Sequence, residues 1–272
     1  MKKRFGLVII LALLCVTMLA GCKKKDDSKF IIGMECTYTP FNWTQLDNSN
    51  GAVPINGTKE FAGGYDIEIA KKIADGLGKE LVIQKTKWTG LLPAVNSGAI
   101  DGIIAGMSPI PDRRKEIDFS DKYYTSELVM VVLKNGPYAN ATSIKDFKGA
   151  KITAQQGTYH YNVIDQINGV DKQTAMGDFT AMRVALDSGA LDGYISEYPE
   201  GVSASKANDK FKMIQFTGEN GFEASADDLA ISVGLKKGSK LTDKINKILS
   251  DISEDERKEI MDTAIANQPA SK

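Results

Sequence analysis

The 272-residue chain carries 34 Lys+Arg against 35 Asp+Glu, with 42% hydrophobic residues, three cysteines and one histidine. That content is enough to bury a full core, as one large folded unit or two of ordinary size, and it excludes a disordered chain. One histidine and three cysteines are too few for a metal cage, and no metal or cofactor is expected.

At the N-terminus Lys2, Lys3 and Arg4 precede an apolar run from Phe5 to Ala20. The run is shorter than the ~20 residues a membrane-spanning helix needs, and its flanks are those of a signal peptide. It ends in Leu19-Ala20-Gly21-Cys22, which resembles a bacterial lipobox, so residues 1–21 read as a leader and Cys22 as the lipidated first residue of the mature chain. Residues 22–29, with Lys23, Lys24 and Lys25, read as a solvated tether beside anionic head groups, at the extracytoplasmic face of the cell membrane. Loss of the leader's three positive charges leaves 31 Lys+Arg against 35 Asp+Glu, a net charge of -4 that gives no reason to expect nucleic-acid binding. Cys36 is then the one cysteine of the folded body, where no internal disulfide can form.

Strands and helices alternate from there. Phe30 to Met34 is a short apolar strand, and Asp66 to Leu77 an amphipathic helix with Ile67, Ala70, Ile73, Ala74 and Leu77 on one stripe and Gly78 as its C-cap. Leu81 to Ile83 is the next strand, Leu91 to Ser97 a helix closed by Gly98, and Ile100 to Ala105 a strand. This βαβ order predicts a mostly parallel sheet. The Asn- and Gly-rich stretch between Trp43 and Gly64 reads as a hairpin or surface loop.

One segment repeats. Ala94-Val95-Asn96-Ser97-Gly98-Ala99-Ile100-Asp101-Gly102 returns as Ala185-Leu186-Asp187-Ser188-Gly189-Ala190-Leu191-Asp192-Gly193, each copy a helix end, a glycine turn and an apolar strand. The repeat predicts two lobes of similar topology, with residues 30–130 and 229–272 in the first and 131–228 in the second. Leu128 to Leu133 and Leu229 to Leu235 read as the two crossings, and the helical tail from Leu241 to Ala266 as returning to the first lobe. Ligands of open α/β sheets sit beyond the carboxyl ends of the strands, so two facing lobes would place those ends in one cleft.

The ordered motifs Tyr38-Thr39-Pro40-Phe41, Gly64-Tyr65-Asp66-Ile67-Glu68, Gly106-Met107-Ser108 through Asp112-Arg113, Asp118-Phe119-Ser120-Asp121 and Gln156-Gly157-Thr158 cover nearly all of the body. Together they resemble the polar-amino-acid family of bacterial solute-binding proteins of ABC importers, which includes the histidine- and lysine/arginine/ornithine-binding proteins. The resemblance implies a two-lobed, type II periplasmic-binding-protein-like fold, each lobe a mixed sheet flanked by helices. It implies a non-enzymatic monomer that delivers a free amino acid to an ABC permease and its ATPase by hinge closure.

It also implies the site. Arg113 would take the α-carboxylate, since a guanidinium matches a carboxylate with two parallel hydrogen bonds. Thr158 and Tyr159, opening a helix, would add N–H donors. Glu197 would take the α-ammonium with help from Gly106 and Ser108, although Ile110 stands where the family often has a Thr. Tyr38 and Trp88 would sandwich the ligand side chain, and Glu35 would contact a basic group, which points to arginine, histidine, lysine or ornithine. A neutral polar ligand such as glutamine or cystine is the alternative, and a cyclohexadienyl dehydratase-like enzyme on the same fold a minor one. Trp43, Asn42 and Gln155 are candidates for the far end of the pocket. A lone His160 near the cleft and Cys36 read more simply as structural residues.

Overall fold

The computed structural model describes residues 26–269; the leader and the lipobox cysteine lie outside the described residues. Among the described residues, two five-stranded sheets and one small four-stranded sheet account for the strands. β1 (Lys29–Met34) is followed by β2 (Thr37–Tyr38), β3 (Asn42–Gln45), β4 (Val53–Pro54) and β5 (Phe61–Gly63). Then come α1 (Tyr65–Leu77), β6 (Glu80–Lys85), α2 (Trp88–Ser97), β7 (Gly102–Ile103), α3 (Pro111–Glu116) and β8 (Ile117–Thr125). β9 (Leu128–Leu133), β10 (Lys151–Thr153), α4 (Tyr159–Val163), β11 (Asp171–Lys172), α5 (Phe179–Asp187), β12 (Gly193–Glu197), α6 (Tyr198–Ala207) and β13 (Phe211–Gln215) form the second lobe. A short α7 (Ala226–Leu229) leads back through β14 (Ala230–Lys236) to α8 (Thr242–Ser250) and α9 (Glu254–Asn267).

The first sheet has the order β6-β1-β7-β14-β8 and the second β11-β10-β12-β9-β13. In each, three parallel strands meet an antiparallel strand that has just arrived from the other lobe, β14 in the first and β9 in the second. The fold is therefore the two-lobed α/β architecture that the repeat predicts. The two apolar runs are strands inside a sheet rather than the crossings themselves. Because all of β9 pairs with β12 and β13, the outward crossing lies at Ser126–Glu127, between β8 and β9, not at 130–131. The tether read over 22–29 is tied to the body before its end: Lys29 already pairs with Glu80 in β1, and the Ser28 carbonyl accepts from the Glu80 N–H at 2.8 Å.

Local chemistry explains the elements. β1 is buried within its sheet, so its Phe30, Ile32 and Met34 are fully buried. α1 buries Ile67, Ile69, Ala70, Ile73 and Ala74 and ends at Gly78, whose left-handed conformation turns its N–H back to the carbonyls of Ala74 and Asp75. The stretch after Trp43 is more ordered than a surface loop: β2, β3, β5 and β4 make the small antiparallel sheet. The tail is two helices rather than one, broken at 251–253, where Ser253 caps the second through the Glu256 N–H. α8 packs on α1 and β8, while α9 touches both α1 and α6 and so spans the two lobes. One hydrophobic cluster runs from the first sheet across the cleft to Phe179, Met182 and Tyr194; a second, around Met130, Ile152, Phe147 and Ile195, fills the other face of the second sheet.

Candidate ligand-binding site

The carboxyl ends of β1, β7, β10 and β12 converge where the lobes meet. Three contacts cross between the lobes there. Arg113 on α3 donates through Nη2 to the Gly157 carbonyl at 2.8 Å, Gln155 Nε2 donates to the two Glu35 oxygens at 3.1 and 3.0 Å, and the Tyr38 ring stacks on Phe179 with centroids 4.4 Å apart and planes 7° from parallel. The lobes are thus closed on each other.

Between them is a narrow cavity, about 10 Å³ with the lobes closed, lined by Tyr38, Trp88, Gly106, Ser108, Arg113, Gln155, Thr158, Tyr159 and His160. Arg113 is 6% exposed. Its Nη1 donates to the Ser108 carbonyl at 2.9 Å, and its guanidinium carbon lies 4.8 Å over the Trp88 ring. Burial lowers its pKa to about 10, with Glu197 opposing that shift, so it remains a cation at neutral pH. Among the described residues it makes no ion pair. A buried cation satisfied only by carbonyls favours an anion from outside the chain.

Glu197, 1% exposed, ends β12. His160 Nε2 lies 3.3 Å from its Oε1, and Glu197 Oε2 and both His160 ring nitrogens have no hydrogen-bond partner among the described residues. Burial, with the charge of Glu197 added, pushes the Tyr38 phenol well above its usual range. A cationic guanidinium and an under-satisfied carboxylate at one cavity are complementary to a small zwitterion: carboxylate toward Arg113, ammonium toward Glu197. Gly106 shapes the same wall. At φ +61, it lets Tyr38 approach so closely that a Cβ there would stand 2.5 Å from Tyr38 Cε1. Thr158 Oγ1 donates to the Gln155 carbonyl at 2.7 Å and closes the turn into α4. That helix has only five residues before a 3-10 turn, so its free N–H groups matter more than any dipole.

A second recess of about 600 Å³, open to solvent, holds Glu35, Asp178, Lys85 and Lys87 and shares Trp88 with the inner cavity. Glu35 is 6% exposed; burial is the main cause that pushes its carboxyl up to about 7, Asp178 adds to the shift, and hydrogen bonds from Gln155 and the Trp88 N–H hold it down. Gln155 stands between cavity and recess.

Of the residues singled out in the sequence, Tyr38, Trp88, Gly106, Ser108, Arg113, Thr158 and Tyr159 come together around the inner cavity; Glu197 adjoins it and Glu35 faces the recess. Gln155 and His160 join them. Trp43 does not: its Nε1 is bound to Gln45, and it lines a separate groove with Arg183 and Asn208. The aromatic pair is not an open sandwich. One face of Tyr38 is taken by Phe179 and one face of Trp88 by Arg113. Phe179 and Asp178 are absent from the sequence-derived set; the one local signal is Asp178 as a helix cap, accepting from the Ala181 N–H.

Residues 30–266 match the model of the bacterial extracellular solute-binding proteins, family 3. The chain belongs to that family. Membership makes it a binding protein and not an enzyme, which sets the dehydratase alternative aside. It is 28% identical over 261 residues to the arginine-binding extracellular protein ArtP of Bacillus subtilis, covering 91% of this chain and 92% of the relative. It is 30% identical to the ABC transporter glutamine-binding protein GlnH of the same organism, over 99% and 100% of the two chains. Among solved structures, the amino acid ABC transporter substrate-binding protein AbpA of Streptococcus pneumoniae, bound to L-arginine, superposes with a TM-score of 0.75 at 25% identity, covering 88% and 95%. Among the described residues no helix is long and apolar enough to cross a membrane.

Proposed function

We propose that the chain captures a free amino acid with a cationic side chain and hands it to an ABC permease. The α-carboxylate binds Arg113, with the Thr158 and Tyr159 N–H groups beside it, and the α-ammonium binds Glu197, Gly106 and Ser108. The side chain passes Trp88 toward Glu35 and Asp178. The observation that carries the cationic choice is Glu35: a buried carboxylate with Asp178 near it and no basic ion-pair partner among the described residues. A cation there relieves both charges. The relative named for arginine and the solved structure bound to L-arginine agree with this reading.

Ligand bridges both lobes, so only the closed state collects both sets of contacts, and ligand shifts the open–closed population. The protein acts as a monomer held at the extracytoplasmic face by lipid on Cys22.

One observation favours a neutral ligand instead. Gln155 already occupies both Glu35 oxygens, so that carboxylate is satisfied without a cation. A relative named for glutamine fits this second reading. Calorimetry at pH 7.5 with arginine, lysine, ornithine, histidine, glutamine and cystine decides. Heat from the cationic set, lost in Glu35→Gln, is the expected result; tight glutamine or cystine binding without heat from the cations overturns it. Arg113→Ala tests the site itself: retained micromolar binding of any amino acid in a folded variant would sink the assignment.

A further inference from the structure

Behind the first-lobe wall of the cavity lies a buried hydrogen-bonded cluster that lines neither the cavity nor the recess. At its centre is Asp66, fully buried in the first turn of α1. Its Oδ2 accepts from Asn42 Nδ2 at 2.8 Å and its Oδ1 from the Tyr123 hydroxyl at 2.8 Å. Each partner spends its remaining capacity on a different cavity loop. Asn42 Oδ1 accepts from the Cys36 N–H at 2.7 Å. The Tyr123 hydroxyl accepts from the Gly106 N–H at 3.2 Å. Both loop residues sit at positive φ, Cys36 at 57° and Gly106 at 61°; glycine takes that conformation freely, but at Cys36 it is one a side-chain-bearing residue adopts only at a cost.

Helix capping does not explain Asp66. The N–H groups of Tyr65 and Asp66 already donate to the carbonyls of Pro40 and Phe41, at 3.1 and 2.8 Å, and the helix has no side-chain cap. Nor does an ion pair: among the described residues no base lies within ion-pair distance. An interior carboxylate is costly, and two neutral donors are a weak reason to keep one for stability alone. What the arrangement does supply is a common origin for two loops. Tyr123 is fixed at both ends, since Tyr65 Oη donates to its carbonyl at 2.8 Å. Tyr65 and Asp66 thus hold the Gly106 loop, while Asp66 through Asn42 holds the turn next to Glu35.

We infer that Asp66 is the positioning residue of the first-lobe half of the site: through Asn42 and Tyr123 it sets the spacing between the Glu35–Tyr38 loop and the Gly106–Ser108 loop, and with it the affinity for the amino acid. The inference rests on the cavity being the amino-acid site. It also gives a physical reason for the Gly64-Tyr65-Asp66 motif, whose glycine, at φ +122, lies so close to the Phe41 carbonyl that a Cβ would stand 2.4 Å from its oxygen.

The test compares affinity with stability. L-arginine and L-glutamine are titrated into the parent, Asp66→Asn, Tyr123→Phe and the double variant, well below each melting temperature. Asp101→Asn, which weakens a remote strand contact, serves as the structural control. Asp66→Asn is expected to lose about tenfold in affinity and Tyr123→Phe a smaller factor, with the double variant no weaker than Asp66→Asn alone, since the two act as one unit. Asp101→Asn is expected to melt lower with affinity kept. Equal affinities for parent, Asp66→Asn and Tyr123→Phe overturn the inference; if Asp66→Asn fails to fold, Tyr123→Phe decides alone. Arg113→Ala separates the two levels. If it still binds, the site reading has failed; if it does not bind while Asp66→Asn binds as the parent does, only the positioning role has failed.

Discussion

Asp101 and Asp192 do the same work in the two lobes. Asp101 Oδ2 accepts from the Ile31 N–H at 2.8 Å while its own N–H donates to the Ile31 carbonyl at 2.7 Å; Asp192 treats Lys151 identically, at 2.8 and 2.9 Å. Each aspartate fastens its lobe's first parallel strand to the turn that feeds the third. The recurring Ser-Gly-Ala-x-Asp-Gly segment is therefore a strand fastener, remote from the ligand. Asp192→Ala is expected to cost about 1–3 kcal/mol, the worth of a charge-assisted hydrogen bond to backbone. Urea unfolding measures it, and amino-acid affinity in calorimetry is expected to stay at the parent value.

Glu35 predicts a pH dependence with a definite sign. Burial pushes its carboxyl from 4.5 up to about 7, and that of Asp66 from 3.8 to about 7. Between the ordinary and the raised values the folded protein keeps protons that the unfolded chain has released. The ligand-free protein therefore loses stability as pH rises through that window, by about 1.4 kcal/mol per pH unit for each proton so held. Thermal melts are expected to fall from pH 5 to pH 8, less steeply in Glu35→Gln. Arginine favours ionised Glu35, so its affinity should rise over the same range in the parent and stay level in Glu35→Gln. A pH-independent arginine affinity in the parent would contradict the assignment of Glu35.

Gly106 separates a site glycine from a turn glycine. A methyl at Gly106 meets Tyr38 at 2.5 Å, and the backbone is at φ +61; at Gly189, φ +74, a methyl meets nothing within 4 Å. Gly189→Ala is expected to cost about 1 kcal/mol of backbone strain and no affinity. Gly106→Ala adds displacement of Tyr38 from Phe179, so it is expected to lose about 1–3 kcal/mol and most of the binding. Paired melts and titrations distinguish the two.

What is legible in the sequence follows the range of the interactions. The α1 stripe, Gly78 and the repeated helix–turn–strand are set by neighbours a few residues away, and they stand where the pattern puts them. The run Leu128–Leu133 reads clearly as a strand, yet its place between β12 and β13 depends on residues more than 60 positions on, so the boundary at 130–131 misses the crossing at 126–127. Family motifs single out Arg113 and Glu197, and both stand at or beside the inner cavity. Phe179 and the Gln155–Glu35 contact are not legible, because the partners are 120 or more positions apart and meet only when the lobes close.

Phe179 gives the means to test closure apart from ligand contact. Its ring is 2% exposed, stacked on Tyr38 across the cleft and joined to the cluster that runs between the lobes. When the lobes separate, both rings lose that contact, so the stack stabilises only the closed state. A parallel aromatic pair is worth about 0.5–1.5 kcal/mol beyond its buried area. Removing it in Phe179→Ala lowers the fraction of closed protein, and apparent affinity falls with that fraction. The expected loss is about two- to thirteenfold, the same for every amino acid bound, because the closing equilibrium is common to all. The ratio of arginine to glutamine affinity should not move, in contrast to Glu35→Gln, which should change that ratio. Small-angle scattering of the ligand-free variant is expected to show a larger radius of gyration than the parent, returning to the parent's compact value at saturating ligand. A loss confined to one amino acid, with unchanged scattering, would instead place Phe179 against the ligand side chain and remove it from the closing mechanism.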